Sequence, residues 1–169
     1  GAEPLDVPGL DVLIDSTVPV GAGLSSSAAL ECAVGAAVLA LLGHDVDDSR
    51  ERLVEATVRA ETEVVGAPTG GMDQGVAVGA EPGRALLLDF ADGSSRSVDL
   101  RLGAAGLALL VTDTRVSHEL VDGGYGQRRA DCEEAARLLG ARSLRDVGPR
   151  EAESLDDERL RRRARHVVG

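Results

Sequence analysis

Lysine and tryptophan are absent from this 169-residue sequence, and phenylalanine and tyrosine each occur once. All 18 basic residues are therefore arginine, and 29 acidic residues bring the formal net charge to −11. A chain with this much negative charge repels nucleic acids and anionic membranes, so we expect neither as a partner. Because aromatic side chains are so few, the core must be built from valine, leucine and alanine.

Cysteine is scarce as well. Cys32 and Cys132 are far apart in helix-like contexts, which fits a reducing compartment and provides no metal-ligand spacing. No signal peptide is recognisable, and the longest apolar run, residues 33–42, is too short to span a bilayer. With 43% apolar and 28% charged residues, the chain is predicted to be a cytoplasmic globular protein.

One stretch, residues 19–31, combines two glycines with three consecutive serines. Gly21 and Gly23 permit positive φ angles and a close approach of the backbone to a ligand. The serines fall where a helix should begin, and the free N–H groups and the helix dipole favour an anion there. The pattern indicates either a phosphate-binding loop or a tight strand-to-helix turn capped by serine.

Periodicity along the chain predicts an α+β fold. Strands are expected at residues 10–18, 85–90, 96–100 and 107–112, with a hairpin turn at Asp92-Gly93. Helices are expected at residues 28–42, from residue 47 onward, and at 128–139, 143–146 and 151–165. The first helix is apolar almost throughout, so we expect it to be buried on most sides, and Val64 should belong to the inward stripe of the second.

Two carboxylates are candidates for chemistry. Asp73 follows two glycines, so it could approach a ligand closely and accept a hydroxyl proton or orient an attacking oxygen. The simpler alternative is an N-cap for the next segment. Glu61 lies on an apolar-facing helix, where a carboxylate must be paired or bind a metal, and together with a serine hydroxyl it would suit Mg²⁺. The alternative is a solvated glutamate.

The remaining candidates are weaker. Tyr125 follows two glycines and could offer its hydroxyl to a polar substrate, or it could pack at a helix start. None of the three histidines has a recognisable catalytic partner. The arginine run at residues 161–165 is expected to be a solvated face or to pair with the acidic residues 156–158.

The order of these features resembles the galactokinases of the GHMP kinase superfamily. Residues 19–31 resemble the superfamily's phosphate loop in its three-serine variant, and residues 70–74 resemble the galactokinase segment that carries the catalytic aspartate. Residues 125–135, with a tyrosine, paired arginines and Cys-Glu, also match, as do residues 143–147 and 163–168. The resemblance covers nearly the whole chain.

This resemblance implies a GHMP kinase fold, with residues 1–102 as part of the N-terminal lobe (a mixed sheet with packed helices) and residues 103–169 as the start of the C-terminal lobe. It implies ATP and Mg²⁺ as cofactors, with Ser27 and Glu61 holding the metal. The residues that would wrap the triphosphate are Gly21, Ala22, Gly23, Leu24, Ser25, Ser26 and Ser27. Asp73 would activate or orient the anomeric hydroxyl of galactose, and Gly70 and Tyr125 would contact the sugar, giving galactose 1-phosphate. The complete protein is expected to be monomeric.

The sequence also departs from the family pattern. The N-terminal signature and the C-terminal glycine-rich motif fall outside the sequence, so we expect an internal fragment that is inactive alone. Gly75 stands where the family commonly has a bulky apolar residue. Three alternatives stay open: a non-catalytic galactokinase-like sensor of ATP and galactose that acts through a regulatory protein, a kinase of another sugar such as N-acetylgalactosamine, and a hydrolase using Ser26 with His118. The hydrolase would lack the Gly-x-Ser-x-Gly elbow.

Overall fold

The α+β class predicted from the sequence is confirmed by the structure, a computed structural model that describes residues 7–112 and 124–169. The elements in chain order are α1 (Ser26–Leu41), α2 (Arg50–Arg59), a π-helical segment (Ala60–Val65), α3 (Met72–Gly79), β1 (Arg84–Asp89), β2 (Ser94–Asp99), α4 (Gly124–Leu138), a 3₁₀ turn (Leu144–Asp146), α5 (Pro149–Glu153) and α6 (Glu158–Val168). The chain divides into two compact units, residues 1–118 and 119–169. The domain boundary predicted between residues 102 and 103 stays a prediction.

Helix α1 is followed by a left-handed glycine, Gly43. Gly43 has a φ of 78°, which a side chain would disfavour. The Gly43 amide donates to the Ala40 carbonyl at 3.0 Å, and the His44 amide donates to the Leu39 carbonyl at 2.9 Å. These two bonds form a Schellman motif, which satisfies carbonyls that the helix end leaves unpaired.

The expectation that α1 is buried on most sides is wrong. Ala28 and Cys32 are buried, whereas Leu30 and Leu41 are exposed. In the described part of the first unit, α2 and α3 are the elements that pack against α1, and together they cover one face of it. The close approach of α2 depends on Gly35, because a Cβ there would lie 2.5 Å from Leu53 Cδ1.

Helix α2 continues directly into the π-helical segment. A π-helix closes i→i+5 hydrogen bonds, so the side chains that follow α2 face different directions from those a continued α-helix would give. Val64, predicted to face inward, is 85% exposed for this reason. Glu61 is buried in the same segment.

Helix α3 packs against β1 of a hairpin. The two strands are antiparallel, with Leu87 opposite Arg96, and the hairpin turn predicted at Asp92-Gly93 is confirmed. A Cβ at Gly75 would lie 3.3 Å from Leu88 Cδ1. The small residue at position 75 therefore matches a leucine packed against it.

Two predicted strands are not formed. Residues 10–18 and 107–112 carry no strand, and their apolar side chains are exposed, Leu13 and Leu110 to 97% and 87%. A strand exists only where another strand accepts and donates its ladder hydrogen bonds. No other described residue provides that ladder for these two segments.

The second unit has a small helical core of its own. Asp157 caps α6 by accepting a hydrogen bond from the Leu160 amide at 3.0 Å. The helix predicted at 128–139 begins earlier, at Gly124, and the one predicted at 151–165 is divided into α5 and α6. The buried core residues are Ala135, Ala136, Leu144, Val147, Ala152, Leu155, Leu160 and Ala164. Within the described ranges of both units, no helix has the length and apolarity needed to cross a membrane.

Candidate active site

The glycine-rich loop leads into α1 through a left-handed turn. Gly21, Gly23 and Ser25 have φ angles of 76°, 70° and 57°. Ser25 occupies the N-cap position, but its side chain makes no capping hydrogen bond, so the alternative of a serine-capped turn is wrong. Ideal Cβ atoms at Gly21 and Gly23 would meet nothing within 4 Å. The loop backbone at these two glycines is therefore open, and the first N–H groups of α1 have no side-chain cap at the N-cap residue.

The structure brings together Ser27 and Glu61, which the sequence analysis singled out as a pair. The Ser27 hydroxyl donates a hydrogen bond to Glu61 Oε1 at 2.8 Å, across 34 positions of sequence. Glu61 is 5% exposed, so the alternative of a solvated glutamate is wrong. The loop and the π-helical segment are thus joined by the two side chains that were expected to share a metal.

A further residue of this cluster was missed by sequence reasoning. Gln74, directly after Asp73 on α3, is fully buried, and its Nε2 donates to Glu61 Oε2 at 2.5 Å and to Glu31 Oε2 at 3.4 Å. A glutamine among small and apolar residues is a weak signal, because its partners lie on two other elements. We define the carboxylate cluster as Ser27, Glu31, Glu61 and Gln74.

In the part of the chain that the structure describes, no arginine forms an ion pair with the carboxylate cluster. The partners of Glu61 are a hydroxyl and an amide, and no arginine among the described residues forms an ion pair with it. Burial raises the pKa of Glu31; the hydrogen bond from Gln74 opposes this rise, and the charge of Glu61 adds to it. Hard oxygen atoms in such a setting suit a cation such as Mg²⁺. No group of three or more acidic, histidine or cysteine ligands occurs in the described residues, so a metal here would need further oxygen ligands.

Asp73 lies in the first turn of α3 and is half-buried. Gly71, with a φ of 84°, occupies the N-cap position, so the alternative that Asp73 is the N-cap is wrong. Its carboxylate makes no hydrogen bond to any other described residue, and the positive end of the helix dipole favours its negative charge. The nearby Gly70 is exposed. Asp73 is therefore available to a ligand.

Two candidate side chains lie outside the residues that the structure describes. The backbone of Tyr125 belongs to α4, but its side chain lies outside the described residues, so its contact with a sugar stays a prediction. His118, the proposed partner of Ser26 in the hydrolase alternative, also lies outside the described residues.

Comparisons with known proteins identify the family to which part of the chain is similar. Residues 2–80 match the family described as the GHMP kinases N-terminal domain, a range that contains the whole carboxylate cluster and Asp73. The chain is 47% identical to a galactokinase of Streptomyces coelicolor over 96% of its own length. Residues 2–80 belong to the GHMP kinase N-terminal domain family.

Two further galactokinases are also similar to this chain. A galactokinase of Mycobacterium tuberculosis is 45% identical over 96% of this chain and 45% of its own. The structure of Lactococcus lactis galactokinase complexed with galactose superimposes with a TM-score of 0.76 at 28% identity, covering 89% of this chain and 40% of that one. The chain spans 43% of the Streptomyces coelicolor relative.

Proposed function

We propose that the protein is a galactokinase, which transfers the γ-phosphoryl group of ATP to the anomeric hydroxyl of galactose and yields galactose 1-phosphate and ADP. The observation that carries the proposal is the 2.8 Å hydrogen bond between Ser27 and Glu61. It joins a phosphate-type loop to a buried carboxylate that forms no ion pair with any described residue. The galactokinase relatives, at 45–47% identity, support galactose as the acceptor.

Ser27 and Glu61 would hold Mg²⁺, and Ser27 lies at the end of the loop where the triphosphate would sit. Their oxygens are the hard donors that Mg²⁺ prefers, and its remaining positions are usually filled by water and phosphate oxygens. When bound, the ion neutralises the charge of the phosphates.

The loop residues Gly21 to Ser27 would bind the triphosphate through backbone N–H groups. The left-handed turn at Gly23 and Ser25 leads the chain into α1 with its first amides free of side-chain caps. An anion is stabilised at such a helix start by the N–H groups and by the helix dipole. Binding through the backbone suits a chain without lysine.

Asp73 would orient the anomeric hydroxyl and accept its proton. Its carboxylate is half-buried and makes no hydrogen bond to other described residues, so a substrate hydroxyl can be its donor. Phosphoryl transfer requires positioning and charge neutralisation more than covalent chemistry. Gly70 and Tyr125 would contact the sugar. The predicted monomeric state and cytoplasmic location stay predictions.

Release of ADP that depends on both ATP and galactose, measured on the full-length protein, tests the proposal. In Asp73→Asn we expect kcat to fall by about 10²–10⁴-fold while ATP still binds, because a positioned general base contributes about that much. Asp48→Asn, the same change at an exposed loop position, is the control and should leave kcat unchanged. Turnover close to normal in Asp73→Asn would show that the aspartate is not the base.

The same assay separates the alternatives. Wild-type protein that binds ATP and galactose without releasing ADP would be a non-catalytic sensor. A higher kcat/KM with N-acetylgalactosamine than with galactose would identify a kinase of that sugar.

A further inference from the structure

Stability alone does not explain why a glutamine stands at position 74. Its side chain is fully buried, and its amide oxygen Oε1 accepts no hydrogen bond from any described protein atom. A buried acceptor without a donor costs about 1–3 kcal/mol. Buried polar groups that lack a hydrogen-bond partner in a folded protein tend to be retained for function.

The amide nitrogen of Gln74, Nε2, donates both of its hydrogen bonds. Both Nε2 donors point at carboxylates, Glu61 at 2.5 Å and Glu31 at 3.4 Å. Glu61 therefore has one oxygen bound by Gln74 and the other bound by Ser27 at 2.8 Å. A glutamate side chain has three rotatable torsions, and these two contacts restrict it to one arrangement.

We infer that Gln74 is a positioning residue that holds the Glu61 carboxylate in place for the metal shared with Ser27, and that Glu31 in turn holds the Gln74 amide; this inference rests on the proposed function. Residues that orient a metal ligand through a hydrogen bond typically change metal affinity by about 10–100-fold when they are replaced. Gln74 contacts the ligand and not the metal.

The backbone around Gln74 is also fixed. Cys32 Sγ of α1 lies 3.9 Å from the Gln74 carbonyl oxygen and 3.8 Å from Thr57 Oγ1 of α2. Three helices thus meet at this residue. Asp73 and Gln74 are consecutive on α3, so their side chains are about 100° apart around the helix axis. One turn of α3 therefore carries both Gln74, which holds the proposed metal ligand, and Asp73, the proposed base.

Metal affinity in the full-length protein tests this role without relying on turnover. The probe is Mn²⁺ with the non-hydrolysable nucleotide AMP-PNP, and the free ion is measured by electron paramagnetic resonance. In Gln74→Met, which keeps the length of the side chain and removes its donors, we expect the apparent Kd for Mn²⁺ to rise by about tenfold. Glu61→Gln should raise it further.

Thr57→Val is the matched control, because Thr57 is buried and its hydroxyl hydrogen-bonds to Leu53, Val54 and Cys32 but not to Glu61 or to the Gln74 side chain. Its thermal midpoint should fall, and its apparent Kd should stay within twofold of wild type. A Gln74→Met protein with wild-type Mn²⁺ affinity, or an equal loss in Thr57→Val, would overturn the inference.

The two proposals fail in different ways. Unchanged Mn²⁺ affinity in Glu61→Gln refutes the metal role of Glu61, and the positioning role with it. Weakened binding in Glu61→Gln with normal binding in Gln74→Met refutes the positioning role alone. If Gln74→Met fails to fold, Glu31→Leu tests the positioning role instead. This variant removes the carboxylate that accepts a hydrogen bond from the Gln74 amide. A rise of about threefold in its apparent Kd supports the inference, and no change refutes it.

Discussion

The two units of the chain each bury a carboxylate, and they treat it in opposite ways. In the second unit, Asp131 is 2% exposed and lies 3.4 Å from Arg159 and 4.0 Å from Arg163, with a hydrogen bond from Gln127 at 2.8 Å. In the first unit, Glu61 is buried just as deeply, yet neutral groups alone hydrogen-bond to it among the described residues.

This difference is the one expected between a structural carboxylate and the metal ligand proposed above. Asp131 carries its own cations and ties α4 to α6, so its charge is balanced as soon as the unit folds. Glu61 has no arginine partner among the described residues, although the chain contains 18 arginines. A buried carboxylate without a cation is unfavourable, and the imbalance is relieved when a metal binds.

Removing both arginines from Asp131 should have the largest effect. In Arg159→Met combined with Arg163→Met, we expect the second unit to lose about 3–5 kcal/mol of unfolding free energy, because a buried charge loses its partners. Chemical denaturation with and without Mg²⁺ measures this, and the loss should not depend on the metal. Arg150→Met with Arg162→Met, at exposed positions, should lose less than about 1 kcal/mol. Equal losses in the two double variants would contradict the structural role.

Glu61→Gln should change stability in the opposite direction. Without metal, we expect the free energy of unfolding to stay the same or to rise by about 1 kcal/mol, because the variant removes an uncompensated charge while Ser27 and Gln74 can still hydrogen-bond to the amide. Wild-type protein should gain about 2.7 kcal/mol from Mg²⁺ and AMP-PNP at 100 times their Kd, and the variant should gain much less. A large loss in EDTA would show that Glu61 is structural, like Asp131.

The sequence predicted the components of the site better than their supports. The hairpin turn and the association of Ser27 with Glu61 depend on local chemistry and on family motifs. The structure contains the turn and a hydrogen bond between these two side chains, and their shared metal stays a prediction. Gln74 was missed because its partners come from α1 and the π-helical segment. That kind of contact is set by packing and leaves no periodic signal.

The same limit explains the wrong predictions. Residues 10–18 alternate in polarity like a strand, but a strand also needs a neighbour with which to form hydrogen bonds, and the alternation does not identify one. Val64 fits the apolar stripe of a continued α-helix, but in the π-helical segment its side chain faces solvent. Local patterns predict which face of an element is apolar, whereas its partners depend on the rest of the fold.

Ser25→Gly tests the backbone strain of the glycine-rich loop that leads into α1. Ser25 has a φ of 57°, and a left-handed residue with a side chain is strained by about 1–2 kcal/mol. Glycine relieves this strain but loses about 0.5–1 kcal/mol of conformational entropy, so we expect a net gain of about 0.5 kcal/mol in unfolding free energy. Denaturation in EDTA measures it. A net loss would show that the Ser25 side chain stabilises the loop.

Glu31→Gln should have the smallest effect, and the size of that effect depends on pH. Burial, with the charge of Glu61, raises the pKa of Glu31 above its ordinary value of 4.5 in the folded state. The folded state then takes up the proton before the unfolded state does, so ionised Glu31 lowers stability at neutral pH and this penalty disappears as the pH falls below 4.5. In EDTA, the variant should therefore be slightly more stable than wild type at pH 7, with a difference that vanishes on acidification.

Glu63→Gln is the control for this prediction because it should show the reverse sign. The exposed Glu63 accepts hydrogen bonds from Arg59, which lower its pKa below 4.5 in the folded state. Ionised Glu63 therefore adds stability above pH 4.5, and that stability is lost as the pH falls through its folded pKa. Glu63→Gln should be slightly less stable than wild type at pH 7. If both variants shift stability in the same direction, the carboxylate cluster does not repel the charge of Glu31, and the contrast between Glu61 and Asp131 loses its electrostatic basis.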